Sequence, residues 1–278
     1  MDFIEAIKAI ILGIIQGITE WLPISSTGHL LLFNEFWPLH VSQDFFDVFK
    51  VVIQFGSILA VLVLYFHKLN PLSSKKSQIE KKETLMLWVK VLIASVPAAV
   101  VGLLLDDIID AKLSVPVVIA AALIVYGIFF LVLENRNRTP RINDFSQMSY
   151  KTAFLIGAFQ MLALIPGTSR SGSTILGAVF LGTSRYIAAE FSFFMAIPVM
   201  FGASGLKLVK YALEQGGLFF SFTEWMALTV ASVVSFVVSM LVIKFLMSFI
   251  KKHDFKPFGY YRIVLGIIVI LYFFIFAS

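Results

Sequence analysis

Residues 167–172 read GTSRSG and lie between the apolar stretches AFLIGAFQMLALI and TILGAVFLG. Arg170 is the permanent charge of that segment, with Thr168, Ser169 and Ser171 around it. A five-donor guanidinium flanked by hydroxyls suits a phosphate, which it can grip with two parallel hydrogen bonds. A second polar break, QGITEWLPISSTGH, lies near the amino terminus. Gln16 and Glu20 stand four apart there, hence on one helix face, with Gly13 and Gly17 beside them. A carboxylate at membrane depth costs about 2.5–3.5 kcal/mol, so an acid kept there marks a site by default. The competing explanation is an interfacial Glu20 close to solvent, or one that is protonated.

Pro23 ends its half-helix, because the residue before a proline leaves the helical region. Ser25, Ser26 and Thr27 then carry the signature of a helix N-cap, as do Thr168, Ser169 and Ser171 after Pro166. Capping alone explains one hydroxyl per break, not three. Each helix start presents free N–H groups and about half a positive charge. Two such starts aimed at one spot make an anion site, with phosphate the usual guest. Arg170 has a structural alternative, a buried pair with Glu20, which does not exclude phosphate binding. His29, one turn beyond Ser26, is a candidate general acid or base, or a structural histidine near a cap.

Other ionisable residues rank lower. Asp47 and Glu190 stand at the head of the span after each break, as interface or supporting residues. His40, His67 and His253 fall in loops or span ends, Lys207 and Lys210 can snorkel, and Trp88, Tyr260 and Tyr261 suit an aromatic belt. The sequence carries no Walker A loop, dinucleotide fingerprint or soluble zinc motif. With no cysteine, disulfides, thiolate metal sites and a cysteine nucleophile are excluded.

The elements that must hold these residues are membrane helices. The 278 residues are 59% hydrophobic and 14% charged, against about 45–50% and about 25% in soluble domains. Apolar runs long enough to cross a bilayer fall at about 45–66, 85–105, 115–134, 186–211, 223–248 and 259–277. Residues 1–40 and 150–183 are apolar but interrupted midway, and neither half of either is long enough to span. The first ten residues lack a basic n-region and a cleavage site, so a removable signal peptide is not expected. Broken backbone at membrane depth must be buried in protein or line a cavity, so both segments read as re-entrant helix–loop–helix hairpins.

The two hairpins resemble each other. Gly13 and Gln16 match Gly157 and Gln160 at a shift of 144, while Pro23, Ser25 and Ser26 match Pro166, Thr168 and Ser169 at 143. LIVYGIFFLVL (123–133) matches RIVLGIIVILY (262–272) at 139. Ordered matches near one shift predict an internal repeat, about 1–140 and 150–278, in a single membrane domain spanning 1–278. Three crossings per half make that repeat inverted. The basic loops 67–84, 135–151 and 249–258 are placed in the cytoplasm, and the acidic loop 106–114 and the loop 212–222 outside. The fold expected is therefore an all-α polytopic membrane protein of six full spans plus two re-entrant hairpins meeting near the midplane, where a binding site would lie.

In this order and chain length, EWLPISSTGHL and IPGTSRSGST resemble the bacitracin-resistance-type undecaprenyl-diphosphate phosphatases. The resemblance implies hydrolysis of undecaprenyl diphosphate to the monophosphate carrier lipid of cell-wall synthesis, in the bacterial cytoplasmic membrane, with the site opening to the outer face. It implies a divalent cation, Mg²⁺ or Ca²⁺, and a polyprenyl diphosphate substrate among membrane lipids, with no nucleic acid partner; a homodimer is compatible with it. By motif position the family's acid-or-glutamine and glutamate fall on Gln16 and Glu20. Its hydroxyls and histidine fall on Ser25, Ser26, Thr27 and His29, and its second-hairpin residues on Ser169, Arg170 and Thr174. With glutamine at 16, the pair supplies one carboxylate, that of Glu20. Glu20 would ligate the ion or activate a nucleophile, Ser26 would attack or orient water, His29 would assist proton transfer, and Arg170 would hold the diphosphate. The rival expectation is a secondary transporter or flippase of an anionic phospholipid, which uses the same helix ends to hold its cargo.

Overall fold

The computed structural model describes residues 2–113, 115–136 and 139–276. The charged side chains of Asp106, Asp107, Asp110 and Arg138, on which part of the loop-charge argument rests, lie outside the described residues. The chain runs through α1 (Phe3–Thr19), α2 (Ser26–Phe36), α3 (Gln43–Val52), α4 (Gln54–Leu64), α5 (Phe66–Leu69), α6 (Gln78–Leu113), α7 (Pro116–Asn135), α8 (Tyr150–Gln160), α9 (Arg170–Phe180), α10 (Arg185–Gln215), α11 (Phe222–Phe249) and α12 (Lys256–Phe276). Among the described residues there is no β-strand. The helix starts follow local chemistry: Ser77 with Glu80, and Ser221 with Glu224, form reciprocal capping boxes at α6 and α11.

Six helices are long and apolar enough to cross a membrane: 43–64 (α3 and α4 together), 78–105 within α6, α7, α10, α11 and 256–275 within α12. Their exposed residues are themselves apolar, Val125, Ile128, Phe129 and Val132 on α7 among them. Exposed apolar faces of this extent belong in lipid, and the protein is a multi-pass membrane protein. Two of the interrupted segments expected from sequence are helix–break–helix: α1 and α2 flank the turn at 20–25, and α8 and α9 flank a 3₁₀ turn (Met161–Leu164) followed by 165–169. Boundaries differ, most of all at α6, which starts at Gln78 where a loop to 84 was expected. Helix α6 runs on to Leu113 where a loop from 106 was expected, since no proline or glycine interrupts DDIIDAKL.

The described chain divides into two compact units: residues 1–21, 26–65 and 196–245, and residues 22–25, 66–195 and 246–278. Each draws helices from both halves of the sequence. In the first unit, Gly13 and Gly17 let α1 lie against α11: a Cβ at Gly13 would meet the Ala231 carbonyl at 2.6 Å, and one at Gly17 the Val238 Cβ at 2.7 Å. The buried Lys8–Glu5 pair (2.7 Å) holds the start of α1, with Lys8 also donating to the Pro38 carbonyl at 2.6 Å. In the second unit α7 and α12 cross closely, and Gly127 and Gly259 are the reason: a Cβ on either would sit within 3 Å of the other's carbonyl. Small residues at a crossing are how membrane helices approach backbone to backbone.

Candidate active site

In the first unit, the carboxylate of Glu20 is buried and collects two donors on one oxygen. Gln16 Nε2 donates to Oε2 at 3.0 Å and Ser26 Oγ at 2.7 Å. The helical spacing of 16 and 20 and the turn that brings α2 back past α1 create this cluster. Thr27 and His29 occupy the first turn of α2 beside Ser26 and are partly buried. Gln16 is fully buried, yet its Oε1 has no hydrogen-bond partner. A serine hydroxyl donating to a buried carboxylate is the geometry of an activated nucleophile.

In the second unit, Arg170 opens α9 and its Nη1 donates to the main-chain oxygen of Ser192 at 2.7 Å. Ser192, on α10, is in turn bonded through Oγ to Thr174 Oγ1 at 2.6 Å, and Thr174 Oγ1 also donates to the Arg170 carbonyl at 2.9 Å. Thr174 therefore fixes both the backbone of Arg170 and the residue that holds its side chain. Ser169 caps α9, its Oγ accepting from Gly172 N at 3.1 Å, and lies 3.2 Å from Ser171 Oγ. Ser171 Oγ also donates to the Leu22 carbonyl at 3.2 Å. Thr168 is fully buried and its Oγ1 has no hydrogen-bond partner.

Ser25 and Ser169 are the described non-glycine residues with positive φ, 76° and 75°. Each immediately precedes a half-helix. Backbone strain of about 1–3 kcal/mol at such a position persists only where the surroundings fix it, and it clusters at functional sites. This pairs Ser25 with Ser169, a shift of 144, where the sequence alignment paired Ser25 with Thr168 at 143. The reason is one extra residue, Gly167, between Pro166 and α9; its φ of 91° and a Cβ position only 2.5 Å from the Ile119 carbonyl demand glycine.

Sequence reasoning missed three residues here. Arg262, the seventh residue of α12, is fully buried and donates to the carbonyls of Pro23 (3.0 Å), Gly167 (2.9 Å) and Thr168 (2.9 Å). One guanidinium thus ties the backbone of the first break to that of the second within this unit. Gly259 and Gly266 flank it on the same helix face and draw α12 against α7, so the fork can reach inward. Its signal was an arginine inside an otherwise apolar span. Ser192 gave no signal beyond a serine among phenylalanines. Gln160 is buried at the end of α8 with both amide atoms lacking hydrogen-bond partners, and its match to Gln16 was the available clue.

The lower-ranked groups have structural partners. Glu190 is buried and takes Lys68 Nζ at 2.6 Å, while Asp47 pairs with Lys50 at 2.6 Å on the same helix. Trp88 Nε1 donates to the Leu69 carbonyl at 2.8 Å.

The family described as bacitracin resistance protein BacA matches residues 9–268. Undecaprenyl-diphosphatase 1 of Clostridioides difficile (strain 630) is 62% identical over 274 residues, covering 99% of this chain and 98% of that protein. The undecaprenyl-diphosphatase of Limosilactobacillus fermentum is 57% identical over 272 residues (97% and 98%), and that of Streptococcus thermophilus (strain ATCC BAA-250 / LMG 18311) 58% over 271 residues (97% and 93%).

Proposed function

The chain belongs to the bacitracin resistance protein BacA family, and from that premise we propose that it hydrolyses undecaprenyl diphosphate to undecaprenyl phosphate and inorganic phosphate, recycling the lipid carrier of cell-wall synthesis. The observation that carries the reading is Arg170, a fixed cation at the first position of a half-helix whose preceding serine is strained into the cap. Guanidinium and helix start together supply what a diphosphate needs, and little else is required of the protein in phosphoryl transfer.

Ser26 is the nucleophile in this reading. Its Oγ attacks the terminal phosphorus and its proton passes to Glu20, which already accepts that hydrogen bond at 2.7 Å. The Oγ–phosphorus bond forms, the bridging phosphorus–oxygen bond breaks, and undecaprenyl phosphate leaves. Water then displaces the phosphoryl group from Ser26, releasing inorganic phosphate and restoring the hydroxyl. His29, in the same helical turn, carries protons to and from the reacting oxygens. Thr168, Ser25 and Thr27 donate to phosphate oxygens, Ser169 and Ser171 do so by turning their hydroxyl protons from each other and from the Leu22 carbonyl, and Thr174 keeps Arg170 in place.

A divalent cation fits the residues around Glu20. A buried carboxylate and the unpartnered amide oxygen of Gln16 are hard oxygen donors one helical turn apart. Among the described residues no three acidic or histidine side chains gather, so Glu20 and Gln16 would hold a Mg²⁺ or Ca²⁺ ion with the remaining ligands coming from outside the protein. When bound, the ion neutralises charge developing on the phosphate. The protein sits in the bacterial cytoplasmic membrane with its site open to the outer face.

The test is phosphate release from undecaprenyl diphosphate by purified protein with Mg²⁺ or Ca²⁺. Release that falls about 10²–10³-fold in Arg170→Ala supports the proposal. Lipid diphosphate binding without any release by well-folded wild-type protein would replace it with a carrier function.

A further inference from the structure

At the far end of α9 from Arg170, about 15 Å along an eleven-residue helix, the second unit holds a cavity of about 790 Å³. It is bounded by the end of α7, the following loop, the α9–α10 turn and the first residues after α11. Its volume lies within the range of small-molecule sites, about 300–1,000 Å³. None of the catalytic roles above uses it.

The lining is cationic. Arg141, Arg185 and Lys251 face one acid, Glu134. Glu134 is buried and already satisfied: Arg185 grips it with Nε at 2.9 Å and with Nη2, and the Phe255 N–H donates to it at 3.1 Å. That leaves the charges of Arg141 and Lys251 for a guest. The start of α10, a 31-residue helix, also lines the cavity; Ser184 takes the N–H groups of Ile187 and Ala188, and those of Arg185 and Tyr186 have no intrahelical acceptor.

A separate observation points to a ligand. Thr183, two positions before the first residue of that helix, lines the cavity at 2% exposure, and its Oγ1 has no hydrogen-bond partner. A buried hydroxyl without a partner is unfavourable unless a guest completes its hydrogen bonding, so the Thr183 hydroxyl is a donor and acceptor open to whatever fills the cavity. The backbone around it is fixed: Gly182, at φ 97°, accepts from the N–H groups of Arg141 and Ile142 at 2.8 and 3.0 Å, and Ser184 N donates to Ile142 at 2.9 Å. This stitch carries Arg141 to the cavity wall.

We propose that this cavity binds a phosphomonoester, held by Arg141, Lys251, the Thr183 hydroxyl and the first N–H groups of α10. A dianion answers the two spare positive charges, the fork of Arg141 matches phosphate geometry, and the helix start adds donors without a proton to lose. A cation is excluded by the sign of the lining. Arg141 and Lys251 come from loops whose basic bias predicts the cytoplasmic side, so the guest is either a membrane-lipid headgroup there or a free phosphate compound.

The experiment uses full-length Arg170→Ala protein in detergent, in which the proposed catalytic grip is absent, titrated with inorganic phosphate by calorimetry and with phosphatidic acid by native mass spectrometry. Saturable binding of either probe, weakened about tenfold or more by Arg141→Gln and by Thr183→Val, supports the site. Phosphate binding identifies a soluble guest, and phosphatidic acid alone a lipid headgroup. Thr183→Val removes an unsatisfied hydroxyl at nearly constant shape, so its unfolding temperature should equal or exceed that of its parent, which separates lost binding from lost folding. Binding of neither probe, or binding untouched by both substitutions, overturns the proposal. The outcome is independent of whether the protein releases phosphate.

Discussion

Arg262 is the residue whose removal reports most directly on how the breaks are held. Replacing it with methionine keeps much of the buried volume but removes every donor. Three carbonyls now bonded at 2.9–3.0 Å, those of Pro23, Gly167 and Thr168, lose their partner in a site closed to water. Each orphaned acceptor costs about 1–3 kcal/mol. Part of that is offset because an arginine buried at 0% exposure is itself costly to desolvate. A net loss of about 3 kcal/mol is expected, or roughly 6–12 °C in unfolding temperature for a unit of this size. Arg262→Lys should lose nearly as much, because one ammonium on a flexible stem cannot span carbonyls from two chain segments. The assay is tryptophan fluorescence during heating of detergent-solubilised protein, paired with phosphate release below the transition. Turnover should fall about 100-fold through misplacement of the groups on both breaks, with kcat more affected than KM. An unfolding temperature within 1 °C or so of wild type and unchanged turnover in Arg262→Met would refute the reasoning.

Ser169→Ala should unfold at a lower temperature than Ser169→Gly: both lose the cap on Gly172, worth about 1 kcal/mol, but only glycine relieves the positive φ. Glu20→Gln should abolish phosphate release with the fold intact, and Ser26→Ala should lose any burst of product in rapid-quench experiments, whereas a full burst in Ser26→Ala would point to direct attack by water. Chelation of divalent cations should stop release, and restoring Mg²⁺ or Ca²⁺ should recover it; persistence in chelator would remove the ion from the mechanism. Gly157→Ala places a Cβ 2.0 Å from the Ala94 carbonyl, so α8 must move off α6, and poor expression or a clear fall in unfolding temperature is expected.

What was legible in the sequence was local. The six spans were readable because crossing a bilayer requires an unbroken apolar run, and length with composition reveals it. The two interruptions were readable from Pro23 and Pro166 and the hydroxyls that follow, although α1 ends at Thr19 and α8 at Gln160, each before its proline. Gln16 and Glu20 were readable as a pair because helical spacing alone brings them together. The positive φ shared by Ser25 and Ser169 was not legible, since it is a conformation no residue type announces when that residue is serine.

Tertiary structure alone decided the partners. Arg170 rests on Ser192, 22 positions away, and Arg262 reaches Pro23 from 239 positions away. Lys68 neutralises Glu190 across 122 positions. A buried donor must find an acceptor, so the sequence can say that Arg262 has one. Which one depends on how closely α12 can approach α7, and therefore on Gly127, Gly259 and Gly266 meeting backbone on the opposite helix. Hydropathy is a property of one segment, whereas a hydrogen bond belongs to two, and only the packed helices bring the second into reach.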